Sequence, residues 1–255
     1  MKKLIALLLA LTMVLALAAC GGEKKDKDDK PEKNTKPTTE ATAEPTTEPT
    51  VEPTTEPTVA PTTEPATEPA TEPQTEETLQ GIQDGNTYTN SLLGLTFTAP
   101  EGWGLADNSQ LAQILGMSAD ALTPENFQRT LDTAGVAMIL YAASADGLVN
   151  VNVVLENLAR SNAQDITEEQ YVQATKDIVI ATLENAGAEN LEYESGALSF
   201  AGAAHYAIAM QGTIGGVDLY EAQVYIKCGD YMACFTVASY GENHVEEVLA
   251  MFEGI

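Results

Sequence analysis

The sequence predicts an α+β domain over residues 84–255, an antiparallel sheet with helices packed on it. Three observations predict it. Between residues 191 and 240, alternating runs are joined by two tight-turn pairs, Gly215-Gly216 and Gly229-Asp230. One long stretch, TEEQYVQATKDIVIATLENAG, carries both helix-start and helix-stop signals. Strands follow strands and helices stand apart, unlike the strict alternation of a parallel sheet.

Taken in order, Leu93, Leu95 and Phe97 alternate with Gly94, Thr96 and Thr98, which is a half-buried strand. Ala99-Pro100-Glu101-Gly102 reads as a turn, with proline second and glycine fourth, and Trp103 follows as a packing anchor. Asp107 caps a short helix, with Gln110 three residues on and Leu111, Ile114 and Leu115 on one face. Thr123-Pro124 starts a second helix that buries Phe127 and Leu131.

Asp146-Gly147 then joins two strands. That register puts Val136, Met138, Leu140 and Ala142 on the core face with Val149, Val151, Val153 and Leu155. Tyr141, Asn150 and Asn152 fall on the other face. In the long helix, Thr167 is the cap, Gln170 closes the capping box, Ile166 and Tyr171 form the staple, and Gly187 ends it. After the meander the chain closes with a helix capped by Asn243, with Glu246 and Glu247 at its positive end. Val245, Val248, Leu249 and Phe252 form its apolar stripe.

The run Tyr88-Thr89-Asn90, followed by Gly94 to Trp103 (GLTFTAPEGW), together with this element order resembles the PsbP-like fold. That resemblance spans most of residues 87–254. It implies a structural motif with no catalytic residue to carry over, in a family composed mostly of binding and assembly factors. Fold alone does not fix function.

Upstream, the chain changes character. Met1-Lys2-Lys3 is a basic start, and Leu4 to Leu17 is an apolar run interrupted only by Thr12. As a helix it would span roughly 21 Å, short of a hydrocarbon core of about 30 Å, so residues 1–19 read as a signal peptide. Leu17-Ala18-Ala19-Cys20 resembles the bacterial lipobox. The resemblance implies cleavage before Cys20, a diacylglyceryl thioether on its sulfur, and acylation, such as palmitate, of the new amino group. Two or three chains anchor a protein firmly where one does so marginally.

Residues 20–83 read as a disordered linker. EKKDKDDKPEKNTK is charged and free of apolar side chains. Prolines then recur every fourth residue from Pro45 to Pro73 in a low-complexity Thr-Thr-Glu-Pro repeat. On a polyproline helix a four-residue unit advances about 120° net, so its glutamates spread around all sides and form no docking face. Pro31 to Pro73 reaches on the order of 130 Å.

The whole chain has a formal net charge of −26. From residue 76 onward, 25 acidic side chains face four basic ones: Arg129, Arg160, Lys176 and Lys227. Such a surface repels phosphate backbones and excludes nucleic acid as a partner, while suiting a cationic one.

No nucleophile-elbow, zincin, P-loop or dinucleotide pattern is present, and no cofactor or metal is called for. His205 shares a face with Ala207, Val224 and Ile226 and has no marked partner, so it reads as structural. His244, in the first turn of a helix, reads as a surface residue. The Gly229-Asp230 turn pairs Cys228 with Tyr231 and Tyr225 with Cys234. The two thiols then point to opposite faces and stay unpaired. A five-residue loop over 229–233 would instead set them opposite for a disulfide.

The reading is a lipid-anchored lipoprotein on the extracytoplasmic face of a bacterial cell membrane. It presents a non-catalytic binding or assembly domain to an unidentified protein or small molecule. Two alternatives stay open. One is a surface enzyme, hydrolase-like, built around His205 in a deep pocket. The other is a solute-binding lipoprotein, which would need two lobes around a cleft.

Overall fold

The computed structural model of the chain describes residues 79–255. The signal segment 1–19, Cys20 and the linker to residue 78 lie outside the described residues. Among the described residues the class is α+β: two antiparallel sheets with helices packed on them.

The smaller sheet has the order β1 (Ile82–Asp84), β2 (Thr87–Asn90), β3 (Leu95–Thr98), β11 (Phe252–Gly254). The larger one is made from β4 (Gly104–Leu105), β5 (Val136–Ala143), β6 (Val149–Asn157), β7 (Ala188–Phe200), β8 (Ala203–Ile214), β9 (Val217–Cys228) and β10 (Tyr231–Tyr240). Its order is β4-β5-β6-β10-β9-β8-β7. The helices are α1 (Asn108–Ile114), α2 (Pro124–Ala134), α3 (Glu168–Asn185) and α4 (Val245–Leu249).

Each face of the large sheet carries its own core. On one face Leu140, Val153, Leu155, Val224, Phe235 and Val237 pack against the small sheet and against Leu111, Phe127 and Leu131 of α1 and α2. On the other, Ile208, Met210, Leu219 and Tyr225 lie under Tyr171, Val172, Val179 and Leu183 of α3. Four phenylalanines join the sheets. Phe252 lies 4.7 Å from Phe97, 5.2 Å from Phe200 and 5.4 Å from Phe235 between ring centroids.

The tight turns set the registers from sequence. Ile214 pairs with Val217 and Cys228 with Tyr231, and the ladder runs on to Tyr225–Cys234. Both capping boxes form, with Gln110 N donating to Asp107 at 2.8 Å and Gln170 N to Thr167 at 3.2 Å.

Five details differ from the sequence reading. The packed region begins before Asp84: the Tyr88 hydroxyl donates to Gln80 O at 2.8 Å, and the Gln80 amide donates to Leu122 O at 2.5 Å. A side chain at Gly81 would meet the Tyr88 ring at 2.6 Å, so this approach needs glycine. The turn sits one residue later than expected. Trp103 N bonds Pro100 O at 3.1 Å, which puts Gly102, at φ +86°, in the third position where a positive φ is required.

The other three concern caps, faces and the chain end. Thr123 precedes α2 without capping it, its hydroxyl donating to Asp120 O instead. A bulge between Met138 and Leu140 shifts the first residues of β5, so Ala137 opposes Leu155 and Val136 opposes Glu156. Finally, Phe252 is not part of the last helix. That helix ends at Leu249, and Phe252 pairs with Phe97 in β11. Helix and strand share the apolar stripe because a five-residue helix exhausts it after little more than one turn.

Candidate functional site

On the α3 side of the large sheet, a row of side chains crosses four central strands. Tyr141 pairs with Asn152, Asn152 with Thr236, and Thr236 with Gln223. The adjacent row runs from Asn150 through Ala238 to Glu221. Cross-strand neighbours lie about 4.5–5.5 Å apart, so these groups form a continuous polar floor. α3 packs across β7, β8 and β9, and no described helix packs comparably on this face of β5 and β6.

The floor is buried, yet its hydrogen bonds are incomplete. The Tyr225 hydroxyl donates to Gln223 Oε1 at 2.6 Å, and Gln223 Nε2 donates to Glu221 Oε1 at 2.8 Å. Asn152 is 1% exposed, and neither atom of its amide has a partner. An unpaired buried amide costs free energy, and native interiors hold few of them.

Burial raises the Glu221 carboxyl to about 7, offset in part by the Gln223 bond. Glu156, which accepts from the Tyr171 hydroxyl, is also raised by burial. Tyr240 is pushed up to about 12 by burial and then by the nearby Glu221 and Tyr141. Burial likewise holds the Cys234 thiol at about 12, so it is a protonated, unreactive group at neutral pH. Cys228 packs with the opposite core and donates to Leu92 O; both cysteines are free.

His205 has a partner that the sequence did not reveal. Its Nδ1 lies 3.0 Å from Glu168 Oε1, across 37 residues. The same carboxylate accepts the backbone N–H groups of Lys227 at 3.0 Å and Tyr206 at 3.2 Å. β8 and β9 stop pairing at Tyr206–Tyr225, so Glu168 pins the start of α3 where the two strands diverge. The described cavities are not lined by His205. Glu168→Ala would orphan two backbone donors and is expected to cost about 2–3 kcal/mol in a urea titration. A loss under about 0.5 kcal/mol would contradict this clamp. His244 is a surface group between Glu242 and Glu247.

An acidic trough of about 410 Å³ lies on the opposite face, at the sheet's β7 end. It is lined by Glu192, Glu194 and Glu246 with Gln211 and Tyr220, and no Lys, Arg or His lines it. A second cavity of about 410 Å³ lies between β1 and α1, beside Gln80, Tyr88 and Leu111. Among the described residues, no three His, Cys, Asp or Glu side chains cluster as metal ligands, and no helix is long and apolar enough to cross a membrane.

No family model matches the chain. No curated protein matches it either. Similar solved structures include the cyanobacterial PsbP of Synechocystis, at 13% identity and a TM-score of 0.40, covering 66% of this chain and 91% of that one. A protein of Bacteroides thetaiotaomicron is similar at 7% identity and a TM-score of 0.37, covering 68% of this chain. The chain spans 49% of that protein's length. LpqN of Mycobacterium tuberculosis, involved in cell envelope biogenesis, is similar at 10% identity and a TM-score of 0.33, covering 61% of this chain and 75% of that one.

Proposed function

We propose that this protein is a lipid-anchored binding module on the outer side of a bacterial membrane, held off the bilayer by its proline-rich linker. The observation that carries the anchoring is Cys20 in its setting: a basic start, a short apolar run, then Leu17-Ala18-Ala19-Cys20. A thiol at that position accepts a lipid through a stable thioether, and two or more chains make the attachment durable.

For the domain, a binding role is supported by where its polar groups go. The half-buried His205–Glu168 pair serves backbone N–H groups, and the Cys234 thiol is held protonated. What remains open is negative charge: the acidic trough beside β7, whose Glu192, Glu194 and Glu246 have no cation among the lining residues. These groups recognise a partner rather than activate a nucleophile.

Mass spectrometry of the purified protein tests the anchor. The mature chain is expected to begin at Cys20 with diacylglyceryl and acyl mass on that residue. Cys20→Ala is expected to lack both the lipid mass and cleavage at that bond. A mature chain beginning elsewhere, or an unmodified thiol on Cys20, would overturn the proposal.

A further inference from the structure

Among the described residues the two sheets have four edges, and three of them are short. β1 and β11 have three residues each and β4 has two, whereas β7 has 13. Folded proteins blunt their edges with short strands, because an open edge presents unpaired N–H and C=O groups to any passing strand. β7 alone is left long: a bulge between Glu189 and Glu192, with Asn190 at φ +56°, interrupts its start, and from Glu192 to Phe200 it pairs with β8 without a break. Its residues from Glu189 to Ser199 are all exposed or half-exposed, with Tyr193 50% exposed. No described strand pairs with its outer side.

The charges beside this edge narrow the occupant. Glu192 pairs with Gln211 and Glu194 with Ala209, so both carboxylates point to the same face. That face continues into the trough that Glu246 closes from the start of α4. Gln211 Nε2 already donates to Glu192 Oε2 at 2.8 Å, and no cation lies among the lining residues. A second copy added through its own β7 would bring rows of glutamate together, and like charges in facing positions are destabilising. On the other face, Tyr193 stands free to pair with a β-branched or aromatic neighbour.

We propose that β7 is a docking edge for an extended basic segment of another protein, which adds as a further strand. Lysines or arginines at alternate positions meet Glu192 and Glu194, and β-branched residues between them lie beside Tyr193. Backbone hydrogen bonds supply the affinity and the alternating charges set the register. The assignment rests on the domain's being a binding module and names the surface and the partner's chemistry.

The test uses the full-length protein in detergent. The probes are a labelled heptapeptide, Lys-Thr-Lys-Val-Lys-Thr-Lys, its glutamate counterpart, and a copy of the lysine peptide N-methylated at alternate backbone amides. The lysine peptide is expected to bind and to slow hydrogen exchange along residues 189–199. The N-methylated copy is expected to bind at least tenfold more weakly, and the glutamate peptide not at all. The double variant Glu192→Gln, Glu194→Gln sits on exposed positions and keeps the fold. It is expected to weaken the lysine peptide about tenfold and to flatten its salt dependence.

Equal binding of the N-methylated peptide would overturn strand addition while leaving the binding-module reading in place. Dimerisation through β7, seen by sedimentation and abolished by the probe, would overturn the choice of partner. No binding of any peptide, with β7 exchange unchanged, would overturn the docking edge. The wider reading would fail separately, if crosslinking in intact cells found no partner on any face of the domain.

Discussion

Phe252→Ala is expected to lower the stability of the folded domain by about 3–5 kcal/mol, against the roughly 5–15 kcal/mol that folded domains commonly have. Phe252 is 3% exposed and its ring touches Phe97, Phe200 and Phe235, so one side chain bonds both sheets together. Removing it opens a cavity lined by rings from three other strands in two sheets. Neither sheet can close the gap without breaking ladder bonds, so little relaxation offsets the loss. The neighbouring Glu253→Ala, on an exposed position of β11, is the control and is expected to change stability by less than about 0.5 kcal/mol. Urea titrations of the two variants decide it. If Phe252→Ala lost under about 1 kcal/mol, the residue would not be the joint between the sheets.

Phe252 also shows where sequence reasoning stops. Its spacing from Val245, Val248 and Leu249 is helical, and nothing local distinguishes a helix that continues from one that ends. Only the facing strand β3, some 150 residues earlier in the chain, recruits it. The same holds for the bulge in β5. Val136 to Leu140 are all apolar, so no alternation marks which residue is skipped. The meander was legible for the opposite reason: Gly215-Gly216 and Gly229-Asp230 have backbone needs that few residues meet, and they fix registers over nine and ten pairs.

The candidate sites divide in the same way. Tyr141, Asn150 and Asn152 separate from the core face by alternation alone. Their meeting with Thr236 and Gln223 depends on β6 pairing with β10, which skips the intervening helix and three strands and has no turn to announce it. The Glu168–His205 contact was hidden because the first residue of a helix ordinarily reads as a favourable charge at its positive end. The β7 edge was hidden because an edge is a property of strand order, not of the strand's own residues.

Glu221→Gln is expected to stabilise the protein at pH 8 by up to about 3 kcal/mol while leaving it little changed near pH 4. Glu221 is 4% exposed, and burial raises its carboxyl from the ordinary 4.5 to about 7. Between those two values the folded protein holds a proton that the unfolded chain has released. Stability therefore falls as pH rises through that window, and the full loss is reached above 7. A shift of that size corresponds to about 3 kcal/mol. Glu156, raised by burial, acts in the same direction. Asp120 and Asp146 act oppositely and at lower pH. Both are fully exposed, and hydrogen bonds from Ser118 and Ser144 lower their carboxyls, so what they contribute is lost as pH falls below the ordinary aspartate range. Glutamine keeps an acceptor for the Gln223 amide and carries no charge at any pH, so the variant's stability loses most of its slope between pH 5 and 7. Urea midpoints of both proteins at four pH values measure it. A stability difference that stays constant from pH 4 to 8 would mean that Glu221 titrates as an ordinary solvated carboxyl, and the polar floor would then be open to water.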